Sequence, residues 1–125
     1  MTFDEEVYGK SIAHVLTDNK MIRELDLSFT AFEHPKCFYD ISMAINNEMC
    51  RLNVLRLRGF KLKQMEAKIL QYMLMKNKQL TTLDLSLSKA LEDDVYPIFI
   101  QKINEMCNIR CLILEGLLPD PQEPV

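Results

Sequence analysis

The sequence predicts an α/β fold assembled from four copies of one helix-then-strand unit, and three observations predict it. The first is a short pattern, an apolar residue, two others and then Leu-x-Leu. It occurs as "IRELDLS" from Ile22, "LNVLRLR" from Leu52, "LTTLDLS" from Leu80 and "IRCLILE" from Ile109. The second is spacing: the second leucines are Leu27, Leu57, Leu85 and Leu114, so successive copies lie 30, 28 and 29 residues apart. A nearly fixed period marks a stacked array. The third is a change of hydrophobic period, from two within the Leu-x-Leu segments to about 3.6 between them.

Each element can be justified in turn. Tyr8, Ile12, Val15 and Leu16 recur at helical spacing over Asp4 to Asn19, and Thr2 with Glu5 forms a TxxE capping box at its start. Phe38, Ile41 and Ile45 form the stripe of a second helix. Ile69, Leu70, Met73 and Leu74, with Met65, form a third, and Val95, Ile98, Phe99, Ile103 and Met106 a fourth. The fourth helix begins at about Asp93 to Tyr96: Glu92, Asp93 and Asp94 suit the positive end of a helix, and Pro97 is tolerated only near the start. "HVLTDNKMIRELDLS" and "YMLMKNKQLTTLDLS" are close to each other, with Asn19 and Asn77 in the same turn between helix and strand. The end of the chain, "LPDPQEPV", holds three prolines in eight residues and cannot build another helix or central strand.

Composition narrows the function classes. The chain has 125 residues, 48% of them apolar and 26% charged, with a net charge of -3 and a pI near 5.4. Its cations are interspersed with acids, which disfavours nucleic acid and anionic membranes as partners. The start, Met1-Thr2-Phe3-Asp4-Glu5-Glu6, is acidic where a secretory signal would be basic and then apolar, and the longest uncharged runs, such as "ILQYMLM", are far too short to span a bilayer. The expectation is a cytoplasmic, intracellular protein without a transmembrane segment. Cys37, Cys50, Cys107 and Cys111 read as reduced thiols, because only Cys107 and Cys111 are close in sequence and no second pair completes a zinc site.

Catalytic constellations are missing from the pattern. His14 falls on the first helix and His34 precedes Pro35 in a loop; no cysteine has a histidine near it in sequence. Gly9, Gly59 and Gly116 are isolated, which excludes phosphate-cradling glycine motifs, and Gly59 and Gly116 each follow the second leucine by two residues, where a backbone turn explains them. No catalytic, cofactor-binding or metal-binding residue is expected. Of the eight methionines, Met65, Met73 and Met106 read as core filling and Met43, Met49 and Met75 as exposed.

The four copies resemble the leucine-rich repeat consensus LxxLxLxxNxL, and their length with a full helix is similar to the ribonuclease-inhibitor-like subclass. The resemblance covers residues 4 to about 118. It implies a solenoid over residues 1–118, with repeats at about 4–29, 30–59, 60–87 and 88–117, a parallel concave sheet, convex helices, and a Pro-rich tail at 119–125. The consensus asparagine is replaced by Thr30, Phe60, Ser88 and Leu117, so its side-chain ladder is absent and irregular turns are expected after strands two and four. The next apolar site is kept as Phe32, Leu62 and Ala90 and fails at Pro119.

In such an array the Leu-x-Leu leucines point toward the helices and the residues between them toward the concave face. Lateral rows then read Asp26, Arg56, Asp84, Ile113 in the middle, Glu24, Val54, Thr82, Cys111 on one side, and Ser28, Arg58, Ser86, Glu115 on the other. Two readings stand open. The opposite charges form a ladder that only keeps the sheet soluble, or Glu24, Asp26, Ser28, Val54, Arg56, Arg58, Thr82, Asp84, Ser86, Ile113 and Glu115 form a recognition face for a protein partner. The resemblance implies a non-enzymatic protein-interaction scaffold, or an assembly subunit of an intracellular cytoskeletal or ciliary complex. The alternative is the substrate-receptor or sensor portion of a ubiquitin ligase or innate immune protein. A flat face of about 200 Å² falls short of the roughly 800 Å² per partner of a standard interface. The partner would therefore grip loops or helices as well, or these repeats would belong to a longer array.

Overall fold

The computed structural model describes residues 4–87, 101–103, 105 and 109–114. Along the chain it forms α1 (Glu5–Asp18), β1 (Glu24–Asp26), α2 (Pro35–Ile45), β2 (Val54–Arg56), α3 (Gln64–Lys76), β3 (Thr82–Asp84) and β4 (Cys111–Ile113). Residues 101–103 are helical. The expected start of a fourth helix at Asp93 to Tyr96, together with Val95, Pro97, Ile98, Phe99, Met106 and Cys107, lies outside the described residues.

The strands form one parallel sheet in sequence order, β1-β2-β3-β4. Parallel neighbours need a crossover, and a helix supplies it between β1 and β2 and again between β2 and β3. The registers bring Glu24, Val54, Thr82 and Cys111 into one row, Leu25, Leu55, Leu83 and Leu112 into the next, and Asp26, Arg56, Asp84 and Ile113 into the third. These are the rows read from the spacing. The protein is thus α/β, with helix-strand alternation around a four-stranded parallel sheet.

Strand alternation sends one set of side chains to the helices. Leu27, Leu55, Leu57, Leu83 and Leu85 are buried there with Phe38, Ile41, Ile45, Leu70, Met73 and Leu74. Two positions of the helical stripes behave otherwise. Val15 is 45% exposed and Met65 53% exposed, because each sits at the edge of its stripe with no neighbouring element over it among the described residues. Met49 and Met75 are exposed as expected, while Met43 is half-buried.

The helix starts are capped differently from the TxxE expectation. Thr2 lies outside the described residues, and the N-cap of α1 is Asp4, whose carboxylate accepts from the Glu6 and Val7 N–H groups. Glu5 is used elsewhere: its two oxygens accept from the Glu33 and His34 N–H groups, just ahead of α2. A neighbouring helix therefore caps α2, whose own N-cap His34 makes no side-chain cap bond. The two helices approach closely at Gly9, where an added Cβ would lie 3.0 Å from Cys37 Sγ and 3.2 Å from Cys37 Cα.

The turns after the strands are more uniform than the missing asparagines suggest. Phe29, Gly59 and Leu87, each two residues past the second leucine, share a left-handed φ of 59°, 64° and 59°. The turn after β2 is therefore no less regular than the others, contrary to the expectation. Phe60 fills the asparagine position with hydrophobic packing: it is fully buried, its ring centroid 5.1 Å from Phe38 and 5.8 Å from Phe32, with Tyr8 a further 5.9 Å beyond Phe32. The turn after β4 and residues Ser88, Ala90, Gly116, Leu117 and Pro119 lie outside the described residues. Phe32 and Leu62 are buried, as the spacing required.

Candidate functional site

The sheet face turned away from the helices is where side chains are left available by the fold. At its centre an ion network runs across three strands. Arg56 donates from Nε to Glu24 Oε2 at 2.6 Å and from Nη1 to Asp84 Oδ2 at 3.4 Å, and Arg58 Nη1 reaches the same Asp84 oxygen at 3.5 Å. Arg56 thus pairs diagonally with Glu24, while the carboxylate of Asp26, its neighbour in the row, accepts the N–H of Ser28 at 2.9 Å. Asp84 does the same with the N–H of Ser86 at 3.0 Å. Both are Asx turns, in which a short carboxylate closes the backbone two residues on.

The two aspartates differ in environment although both sit in "LDLS". Asp26 lies on an edge strand and is exposed; Asp84, between β2 and β4, has only 2% of its side chain exposed. Burial alone would push the Asp84 pKa up, but the Ser86 N–H and hydroxyl and then the Arg58 guanidinium outweigh it and hold the pKa below the ordinary carboxylate value. Asp26 is also held low, chiefly by its hydrogen bonds from Ser28.

Burial divides the sequence-selected residues. Glu24 and Asp26 are exposed; Ser28, Val54, Arg56, Arg58, Thr82 and Ile113 are half-buried; Asp84 and Ser86 are buried, so they support the face from beneath and do not present it. Glu115 lies outside the described residues. Cys111 is exposed at the β4 end of its row.

Sequence reasoning missed two exposed apolar residues in the turns that follow β1 and β3. Phe29 is 71% exposed and Leu87 45% exposed, both in the left-handed conformation that costs a non-glycine residue about 1–3 kcal/mol. The Phe29 ring lies across Gly59, where a Cβ would collide with its Cδ1 and Cε1. The available signal was positional, since Phe29 and Leu87 align with Gly59, but large apolar residues do not announce a left-handed turn.

The remaining polar groups are dispersed. His14 pairs with Asp18 at 2.8 Å on the exposed side of α1, and His34 stands at the start of α2. Cys37 and Cys50 are buried, and burial, with Glu5 and Asp40 nearby, pushes the Cys37 thiol up to about 11. Among the described residues no group of three or more His, Cys, Asp or Glu side chains is placed to hold a metal ion, and no helix is long and apolar enough to cross a membrane. An open groove between α1 and α2 is lined by Lys10, His14, Thr17, Tyr39, Asp40 and Met43. The chain matches no protein-family model, and a search of curated proteins finds no match.

Proposed function

We propose that this chain is a non-enzymatic protein-interaction scaffold built as a leucine-rich repeat solenoid of the ribonuclease-inhibitor-like kind, and that the open face of its sheet contacts the partner. The observation that carries this reading is the register, which sets polar side chains from β1, β2 and β3 side by side on one face, next to Cys111 and Ile113 of β4, while the leucine row between them packs behind. The internal network of Glu24, Arg56, Asp84 and Arg58 supports a preorganised surface: a partner meeting it would not have to immobilise those long side chains itself. Phe29 and Leu87, exposed in the turns that follow β1 and β3, would supply apolar contact area that the flat sheet lacks.

The test is affinity capture from cell lysate with the wild type and with Val54→Glu/Thr82→Arg. Both positions are half-buried and lie outside the ion network, so the change alters the face while leaving its supports in place. The reading expects a partner set bound by the wild type and lost by the variant, with unchanged circular dichroism. Identical recovery by the two proteins refutes the assignment of the open face.

A further inference from the structure

The β1 edge of the sheet has three properties that belong together. First, its backbone is unpaired on the outer side among the described residues. The Arg23 carbonyl accepts from Val54 N–H and the Leu27 N–H donates to the Arg56 carbonyl, so the odd-numbered residues of this segment face β2. By the alternation of a parallel ladder, the N–H and C=O groups of Glu24 and Asp26 point the other way, and among the described residues no strand lies there.

Second, the apolar layer behind β1 is uncovered on that side among the described residues. Ile22 and Leu25 are half-buried, whereas their counterparts Leu52 and Leu80, and Leu55 and Leu83, are at most 1% exposed. Gly9 faces α2, so helical geometry turns Val7 and Val15 to the opposite flank, and these are 58% and 45% exposed.

Third, the charge on the open side is of one sign. Both residues that β1 contributes there, Glu24 and Asp26, are acids, and Arg56 neutralises Glu24 from the β2 side alone. Along the row the sign alternates Asp26, Arg56, Asp84, so the complementary residue on the outer side of Asp26 is a cation.

We propose that the β1 edge binds an extended partner segment in which apolar and cationic residues alternate, added to the sheet as a further strand. Its backbone would pair with Glu24 and Asp26, its apolar side chains would cover Ile22, Leu25 and Val15, and its Lys or Arg would face Asp26. Main-chain bonds supply affinity in this mode and alternate side chains supply specificity. A second copy of the chain fits less well, because antiparallel pairing of two β1 edges sets acid against acid, and like charges directly opposite are destabilising. The proposal is independent of whether the open face binds anything.

A suitable probe exists within the chain: the peptide Leu52–Gly59, "LNVLRLRG", has the required alternation. Fluorescence anisotropy would follow its binding to the full chain, beside a peptide with both arginines replaced by glutamate. Hydrogen exchange would be read at single amides. The expected result is added protection at the Glu24 and Asp26 amides with Leu25 and Leu27 unchanged, and affinity about tenfold lower for the glutamate peptide or for Asp26→Lys. Equal affinity of the two peptides, no binding by either, protection confined to other amides, or dimerisation of the chain through β1 in sedimentation would each overturn it. The two-peptide comparison uses wild-type protein, so a folding defect in the variant does not obscure the answer.

Discussion

Asn77 and Asn19 occupy the same turn of two closely similar segments, yet replacing them should have very different consequences. Asn77 is 7% exposed. Its Oδ1 accepts the N–H groups of Gln79 and Leu80 at 2.8 and 2.5 Å, and its Nδ2 donates to the Ile45 carbonyl at 3.2 Å and to Asn46 Oδ1 at 2.9 Å. The side chain therefore closes its own turn and ties it to the end of α2. In Asn77→Ala the Gln79 and Asn46 partners can turn to water, but Leu80 N–H and Ile45 C=O belong to residues 1% and 2% exposed. A buried group left unpaired costs about 1–3 kcal/mol, so two of them give a loss of about 2–6 kcal/mol, the lower half applying where water enters the vacated space. Among the described residues the Asn19 side chain makes one hydrogen bond, accepted from the N–H of Met21 at an exposed site, and Asn19→Ala should change stability by no more than about 0.5 kcal/mol. The assay is urea unfolding followed by far-ultraviolet circular dichroism, since the chain has no tryptophan. With a slope of about 1–3 kcal/mol/M, the midpoint of Asn77→Ala should fall by about 1 M or more at unchanged slope. Equal midpoints for the two variants would refute the argument that this amide joins successive units.

Three further expectations follow from the geometry. Gly59→Ala should destabilise by about 1–2 kcal/mol through its positive φ and its collision with Phe29, and the loss should shrink in a Phe29→Ala background; equal losses in both would show that the ring does not press on this position. Asp84→Asn should lower stability by about 1–2 kcal/mol at neutral pH, because an uncharged amide replaces a buried carboxylate that accepts from Ser86, Arg56 and Arg58, while Arg56 keeps Glu24 and both guanidinia keep part of their water. The Asp84 pKa is lower in the folded than in the unfolded chain, so its stabilisation is full above the ordinary carboxylate value near 4 and is lost as pH falls through the folded value. The gap between wild type and variant should accordingly close in acid, and a gap constant from pH 7 to pH 3 would argue against the ion network. Finally, iodoacetamide at pH 8 followed by peptide mass mapping should label Cys111 rapidly while Cys37 and Cys50 resist, as both are 2% exposed and burial raises both thiols; labelling of Cys37 as fast as Cys111 would contradict the tight packing of α1 on α2.

Much of the fold was legible because its period is long and its pattern simple. The spacing of Leu27, Leu57, Leu85 and Leu114 determined which residues are neighbours across the sheet, and the helical period of Phe38, Ile41 and Ile45 determined which face of α2 is buried. The candidate surface was legible only as rows of letters. Arg56 could be aligned with Asp26, but its preference for Glu24 depends on side-chain reach, which alignment does not contain. Glu5 looked like half of a local capping box, whereas it caps the helix of the following unit, a contact across 28 residues that only packing creates. Phe60 looked like a defect in an asparagine ladder and is a fully buried ring packed against two other aromatics, Phe32 and Phe38.

By itself, then, the sequence determined the alternation of helix and strand, the parallel register and the identity of the leucine core, because each follows from periodicity along one chain. Exposure and charge environment were decided by the tertiary structure. The same four letters, "LDLS", leave Asp26 in water and bury Asp84 beneath two arginines, since burial depends on what stands on either side of a strand. That difference separates a carboxylate able to meet a partner from one that holds the surface together.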